Sequence, residues 1–261
     1  MPDYTPQEIM TVAASRRLRD GTVCFVGIGL PSAAANLARL THAPDVVLIY
    51  ESGTIGAKPA ILPLSIGDGE LAESADTVVS VPEIFRYWLQ GGRVDVGFLG
   101  AAQIDRFGNI NTTTIGGTYE KPKVRLPGAG GAPEIATAAK EVTIILKQSR
   151  RSFLEKLDFV TSSGFYDDSL SAGKSHLRGR GPTTVITDLG IMVSTRESPE
   201  LVLQSLHPGI ALDQVKEATG WSLKVSPDVQ ETPAPNRQEL VALRDLYART
   251  AAAHGAVSAS E

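Results

Sequence analysis

Two runs decide the fold: Thr22-Val23-Cys24-Phe25-Val26, followed by the turn Gly27-Ile28-Gly29-Leu30-Pro31, and then Val46-Val47-Leu48-Ile49-Tyr50. Each run is apolar at successive positions, the pattern of a strand buried on both faces. Between them the spacing predicts a helix from about Ser32 to Leu40. Strand, glycine turn, helix and strand make a βαβ unit, and a βαβ unit implies a parallel sheet.

Working outward, the pattern recurs. Strands are predicted at Thr77–Val79, Val94–Leu99, Val142–Leu146, Phe159–Thr161 and Thr184–Thr187, and helices at Pro82–Gln90, Asp213–Thr219 and Gln238–Ala253. Upstream, Thr5 can cap a helix with Pro6 in its first turn and Glu8 at the capping-box position, and Gly21 ends the pattern. The expectation is an α/β fold: an open, largely parallel sheet flanked by helices, in one domain over residues 1–255, with 256–261 a frayed tail. Ala101–Ala132, rich in Gly, Asn, Thr and Pro, reads as a long functional loop. Gly164–Pro182 is polar and reads as exposed.

Composition narrows the class. The 261 residues are 42% hydrophobic and 21% charged with a net charge of -4, which suits a soluble globular chain and argues against a nucleic-acid partner. Cys24 is the single cysteine, so no disulfide can form within the chain. Met1-Pro2-Asp3-Tyr4 has neither the basic nor the apolar region of a signal peptide, and no apolar run has the length of a membrane span. A cytoplasmic protein without a membrane partner is expected.

Glu51 ends the second apolar strand and is followed by Ser52 and Gly53. In open α/β sheets ligands bind beyond the carboxyl ends of the strands. A carboxylate there suits chemistry, and it equally suits the capping of a turn. The pair Gly27 and Gly29 lacks the third glycine of a dinucleotide fingerprint, since Ser32 stands in its place. It reads as a tight turn that lines a pocket. Asp105-Arg106-Phe107-Gly108-Asn109-Ile110-Asn111, preceded by Gln103, fits either a turn or a polar cleft lining. Pro127-Gly128-Ala129-Gly130-Gly131-Ala132-Pro133 fits a flexible connection or a backbone that presents N–H groups to an oxyanion or a phosphate. His42, His176, His207 and His254 have no metal-ligand spacing, and no metal is expected. Phe85, Trp88 and Trp221 read as packing residues.

Taken in order, Gly27 to Pro31, Glu51 to Gly53, Gly100 to Asn109 and Gly128 to Ala132 resemble the β subunits of class I coenzyme A transferases. The resemblance runs from near residue 4 to near residue 250. It is greatest to the branch that moves CoA from succinyl-CoA to 3-oxoadipate, carried by Val23–Pro31 and Phe85–Arg93, and glutaconate-type β subunits share the Glu-Ser-Gly segment. It implies that Glu51 is a nucleophile that forms a glutamyl-CoA thioester by way of a mixed anhydride. It implies that Gly130 and Gly131, with Gly128 nearby, serve the oxyanion and CoA. Gly27, Gly29, Ser52, Gly53, Gln103 and Asn109 would line the cleft. It further implies an α-subunit partner in an αβ or α₂β₂ assembly, an acyl-CoA thioester and a carboxylic acid as substrates, and no permanently bound cofactor.

Overall fold

The structure is a computed structural model that describes residues 3–164, 181–194, 198 and 200–258. Most of the Gly164–Pro182 segment, His176 and the end of the expected tail lie outside the described residues.

The chain begins with α1 (Pro6–Ser15), β1 (Val23–Val26), α2 (Leu30–Leu40), β2 (Val47–Ile49) and β3 (Thr54–Ile55). It continues with α3 (Gly69–Glu73), β4 (Thr77–Val78), α4 (Val81–Glu83), a π-helix at Ile84–Leu89 and β5 (Val96–Gly100). Four short strands follow: β6 (Gln103–Ile104), β7 (Ile110–Asn111), β8 (Thr114–Gly117) and β9 (Pro122–Arg125). Then come α5 (Ala132–Ala138), β10 (Glu141–Ile145), β11 (Pro182–Ile186), β12 (Gly190–Val193) and β13 (Val202–Leu206). The chain closes with α6 (Leu212–Glu217), β14 (Lys224–Glu231) and α7 (Arg237–Ser258).

The main sheet has the order β14-β13-β12-β11-β10-β5-β1-β2-β3-β4. Its middle is parallel, from β11 through β10, β5 and β1 to β2. Antiparallel pairs flank it at β2–β3, β3–β4, β11–β12 and β12–β13, and β13 pairs parallel with the edge strand β14. The expected α/β fold in a single domain is what forms.

Successive side chains of a strand point to opposite faces, so each central strand feeds two layers. Cys24, Val26, Leu48, Tyr50 and Phe98 pack with Met10, Ala13 and Ala14 of α1 and Ala34, Ala35 and Ala38 of α2. Phe25, Ile49 and Leu99 pack on the other face with Ile84 and Leu89 of the π-helix and Ile135 and Ala136 of α5. Cys24 is fully buried, which pushes its thiol up and makes it a core residue rather than a reactive one.

Several expectations are corrected. α1 stops at Ser15, well before Gly21. The helix expected at Pro82–Gln90 is one α-turn followed by a π-helix. No strand forms at Phe159–Thr161; that segment is held by the Thr161 N–H donating to the Ile110 carbonyl and by an isolated bridge at Ser162. Ala101–Ala132 is not structureless, since it folds into the hairpins β6–β7 and β8–β9. α7 runs through Gly255 to Ser258, because a single glycine near the exposed end of a long helix costs only about 1 kcal/mol.

Candidate active site

The carboxyl ends of the parallel strands β1, β2 and β5 point the same way; Gly27 and Glu51 lie in the loops after β1 and β2, and Gly100 is the last residue of β5. Tyr50 anchors the middle loop. It is fully buried, its hydroxyl lies 3.0 Å from Ser32 Oγ, and it accepts from Asn36 Nδ2 at 3.3 Å. Burial pushes its phenol up to about 12, so it is a neutral peg that pins the strand end to α2.

Glu51 follows directly in a tight turn closed by the Gly53 N–H donating to the Tyr50 carbonyl at 3.1 Å. Gly53 has φ +107°, and a Cβ there would meet the Val79 carbonyl at 2.0 Å. Only glycine satisfies both conditions. The side chain of Glu51 is half-buried, and among the described residues its carboxylate takes part in no hydrogen bond or ion pair. Beside it the Ser52 hydroxyl is buried and has no partner among the described residues. Unpartnered buried polar groups are uncommon and call for an explanation.

The glycine-rich segment 128–131 comes up against this carboxylate. A Cβ on Gly130 would lie 3.6 Å from Glu51 Oε2 and 3.9 Å from Oε1, and one on Gly131 would lie 3.4 Å from Glu51 Cδ. Among the described residues, neither the Gly130 nor the Gly131 N–H donates to another group of the chain. Two free amides beside a free carboxylate can receive an oxyanion that develops next to it.

Gly128 differs. Its N–H donates to the Thr112 carbonyl at 2.8 Å, and its own carbonyl accepts from Thr112 Oγ1 at 2.7 Å. That amide is spent on holding the loop, so it is not available to an oxyanion. Gly128 instead borders a cavity of about 300 Å³ with Ala101, Ala102, Leu126, Ala129 and Ala132.

The remaining cleft residues separate in the same way. Gln103 is 3% exposed, accepts from Asn111 Nδ2 and donates to Asp158 Oδ2 at 2.6 Å. Asn109 donates to Asp105 Oδ2 and accepts from the Gly164 N–H. Burial pushes Asp105 up while Asn109 and the Phe107 N–H pull it down, as befits the hub of a turn. The turn reading, not the cleft reading, accounts for the contacts of Gln103 and Asn109. The Gly27 N–H donates to the Phe98 carbonyl at 3.1 Å, and Gly29 is the exposed N-cap of α2. Phe85 packs against the core, as expected. Phe85 lies against the Gly131 turn, where a Cβ would meet its Cζ at 2.7 Å.

A family model for coenzyme A transferases matches residues 7–218. The chain belongs to the coenzyme A transferase family. It is 67% identical to the β subunit of 3-oxoadipate CoA-transferase from Pseudomonas knackmussii, over 98% of each chain. Among solved structures, glutaconate coenzyme A-transferase from Acidaminococcus fermentans superposes with a TM-score of 0.83 at 32% identity, covering 93% of this chain and 94% of that one. The decarboxylase AibA/AibB superposes with a TM-score of 0.79 at 27% identity, covering 94% and 95%. Membership in this transferase family makes a CoA thioester the substrate for which the site has to be understood. Among the described residues there is no cluster of side chains that could hold a metal ion and no helix long and apolar enough to cross a membrane.

Proposed function

We propose that this chain is the β subunit of a CoA-transferase that moves CoA from succinyl-CoA to 3-oxoadipate, with Glu51 as its covalent nucleophile. The observation that carries the mechanism is the Glu51 carboxylate, unpartnered among the described residues, beside the amides of Gly130 and Gly131, which are likewise free among the described residues. The acceptor is supported by the 67% identity to a 3-oxoadipate CoA-transferase β subunit.

A Glu51 oxygen attacks the thioester carbonyl of succinyl-CoA. The carbon–sulfur bond breaks, CoA leaves as a thiolate, and a succinyl–glutamyl anhydride remains. The thiolate then attacks the glutamyl carbonyl, releasing succinate and leaving CoA as a thioester on Glu51. A carboxylate of the acceptor attacks that thioester to form a second anhydride and free the thiolate once more. Attack of the thiolate on the acceptor's acyl carbon yields the new acyl-CoA and restores Glu51. No proton has to move in these steps, so no general base is required.

A carboxylate is a weak nucleophile, and the rate has to come from its surroundings. Each tetrahedral intermediate carries an oxyanion, and the Gly130 and Gly131 amides are the donors we assign to it. One such donor is worth about 10²–10³ in kcat when preorganised. Binding of the nucleotide end of CoA contributes further, if it is realised only in the transition state.

The reading includes an α subunit as obligate partner in an αβ or α₂β₂ assembly, and no permanently bound cofactor. It also places the enzyme in the cytoplasm. The test incubates the assembled enzyme with succinyl-CoA and no acceptor, followed by peptide mass spectrometry. A CoA adduct on Glu51 that 3-oxoadipate discharges is the expected result. Discharge by glutaconate or another short acid, but not by 3-oxoadipate, would reassign the acceptor. Steady CoA release without acceptor would make the enzyme a hydrolase, and turnover without adduct would remove Glu51 as nucleophile.

A further inference from the structure

The π-helix Ile84–Leu89 has no part in the bond changes above, yet it reaches the reacting carboxylate through one side chain. Its wide turns are closed by the Gln90 N–H donating to the Phe85 carbonyl at 2.8 Å and the Arg93 N–H donating to the Trp88 carbonyl at 2.9 Å. Such turns are rare and cluster at functional sites. Here the wide turn presents the Phe85 ring edge to Gly131. A Cβ on Gly131 would meet Phe85 Cζ at 2.7 Å and Cε1 at 3.0 Å, and Glu51 Cδ at 3.4 Å. Gly131 therefore lies between the ring and the carboxylate. Its φ of -82° suits any residue, so space rather than backbone conformation demands glycine there.

The ring is braced in turn. Its centroid lies 5.9 Å from that of Phe25, tilted by 53°, and Phe25 is a fully buried residue of the central strand β1. A second strut joins the π-helix to the Gly131 side of the site, with Gln90 Nε2 donating to Glu134 Oε1 of α5. Phe25, Phe85, Gly131 and Glu51 thus form one stack that runs from the middle of the sheet to the reacting group.

We propose that Phe85 is a positioning residue, which fixes the Gly131 peptide against the Glu51 carboxylate and keeps water from that side of it. This rests on the covalent role of Glu51. A ring that holds the amides in place acts on the transition state, whereas a ring that only fills the core acts on stability. A displacement of the donors by about 1 Å would cost on the order of 10²-fold in rate. Admitted water would divert the glutamyl thioester to hydrolysis.

The test compares Phe85→Leu and Phe85→Tyr with wild type, each assembled with its partner subunit and checked by size-exclusion chromatography and circular dichroism. Phe85→Leu opens a gap beside Gly131. Phe85→Tyr keeps the ring on Phe25 but adds an oxygen to the atom that faces Gly131. Both are expected to assemble, to keep the KM for succinyl-CoA near wild type and to lower kcat by about 10–100-fold. In Phe85→Leu the share of Glu51-bound CoA lost to water, rather than passed to acceptor, is expected to rise. The proposal is overturned if assembled Phe85→Tyr matches wild type in kcat, or if Phe85→Leu loses thermal stability with kcat and partition unchanged. A wild-type enzyme that turns over without a Glu51 adduct removes the covalent reading and this proposal together. A wild-type adduct with unaltered variants removes this proposal alone.

Discussion

Glu51→Asp draws the carboxylate back by one methylene from the Gly130 and Gly131 amides. If those amides stabilise the oxyanion, kcat should fall by about 10²-fold or more while assembly is unchanged, as single-turnover kinetics on succinyl-CoA would measure. Gly131→Ala attacks the same geometry from the other side, since its methyl would meet Phe85 Cζ at 2.7 Å, so that either the ring or the Gly131 turn has to shift beside the carboxylate. A loss of kcat exceeding any change in KM is expected, and equal values for Gly131→Ala and wild type would show that the donors sit elsewhere. At this scale the sequence is informative where chemistry and position coincide. Glu51 stands out as the charge that ends an apolar strand, but that position suits the capping of a turn equally, and only the companion glycine segments single it out as a candidate nucleophile. What the sequence does not show is that the Gly128 amide is spent on Thr112, because that contact depends on how the β8–β9 hairpin folds back. Phe85 was hidden for a similar reason. An aromatic amid apolar residues looks like core, and only the π-register aims it at Gly131.

Whole elements were legible where their signals are local. α1 is the clearest case: Thr5 Oγ1 accepts from the Glu8 N–H at 3.2 Å, and Glu8 Oε2 accepts from the Thr5 N–H at 2.7 Å. Thr5→Ala should therefore cost about 1 kcal/mol in denaturant unfolding. Glu8 has a second use that the capping box does not announce. Arg244 Nε of α7 donates to its Oε1 at 2.7 Å, and this hydrogen bond, with the Thr5 backbone bond, holds the Glu8 carboxyl below its ordinary range against the opposing effect of burial. A carboxylate whose folded pKa is depressed stabilises the fold above its unfolded pKa, and that contribution disappears as pH falls through the folded value. Acid should thus loosen the α1–α7 contact, and Glu8→Gln should flatten the stability curve on the acid side while lowering stability at neutral pH. The elements that escaped the sequence are those set by distant partners. β12, β13 and β14 extend the sheet at its far edge, where half-exposed strands such as Val202-Leu203-Gln204-Ser205-Leu206 carry a weak apolar signal. The short pairs β6–β7 and β8–β9 have two to four residues per strand, too few for a period of two to show.

Across the whole molecule, the βαβ core fixes where a site can be, but the described chain does not enclose it. Tyr50, Gly53 and Phe25 build a rigid floor of buried groups beneath Glu51. Above that floor the carboxylate is only half-buried, and Gly130 is exposed. An acyl anhydride and a glutamyl thioester both react with water, so a transferase has to shut this side before it acylates. The described residues leave Gly130 exposed, and the α subunit is the wall that our reading supplies. Two consequences can be separated by mass spectrometry and a thiol assay. Incubated alone with succinyl-CoA, the folded chain should gather little or no CoA on Glu51. Titrated with α subunit, it should gain adduct in proportion to the heteromer formed, and CoA release without acceptor should remain slow throughout. An isolated chain that acquires the adduct at the rate of the complex would mean that the floor suffices and that the partner serves another step. Adduct that appears with the partner but leaks CoA steadily would mean that the wall positions the thioester without keeping the water out.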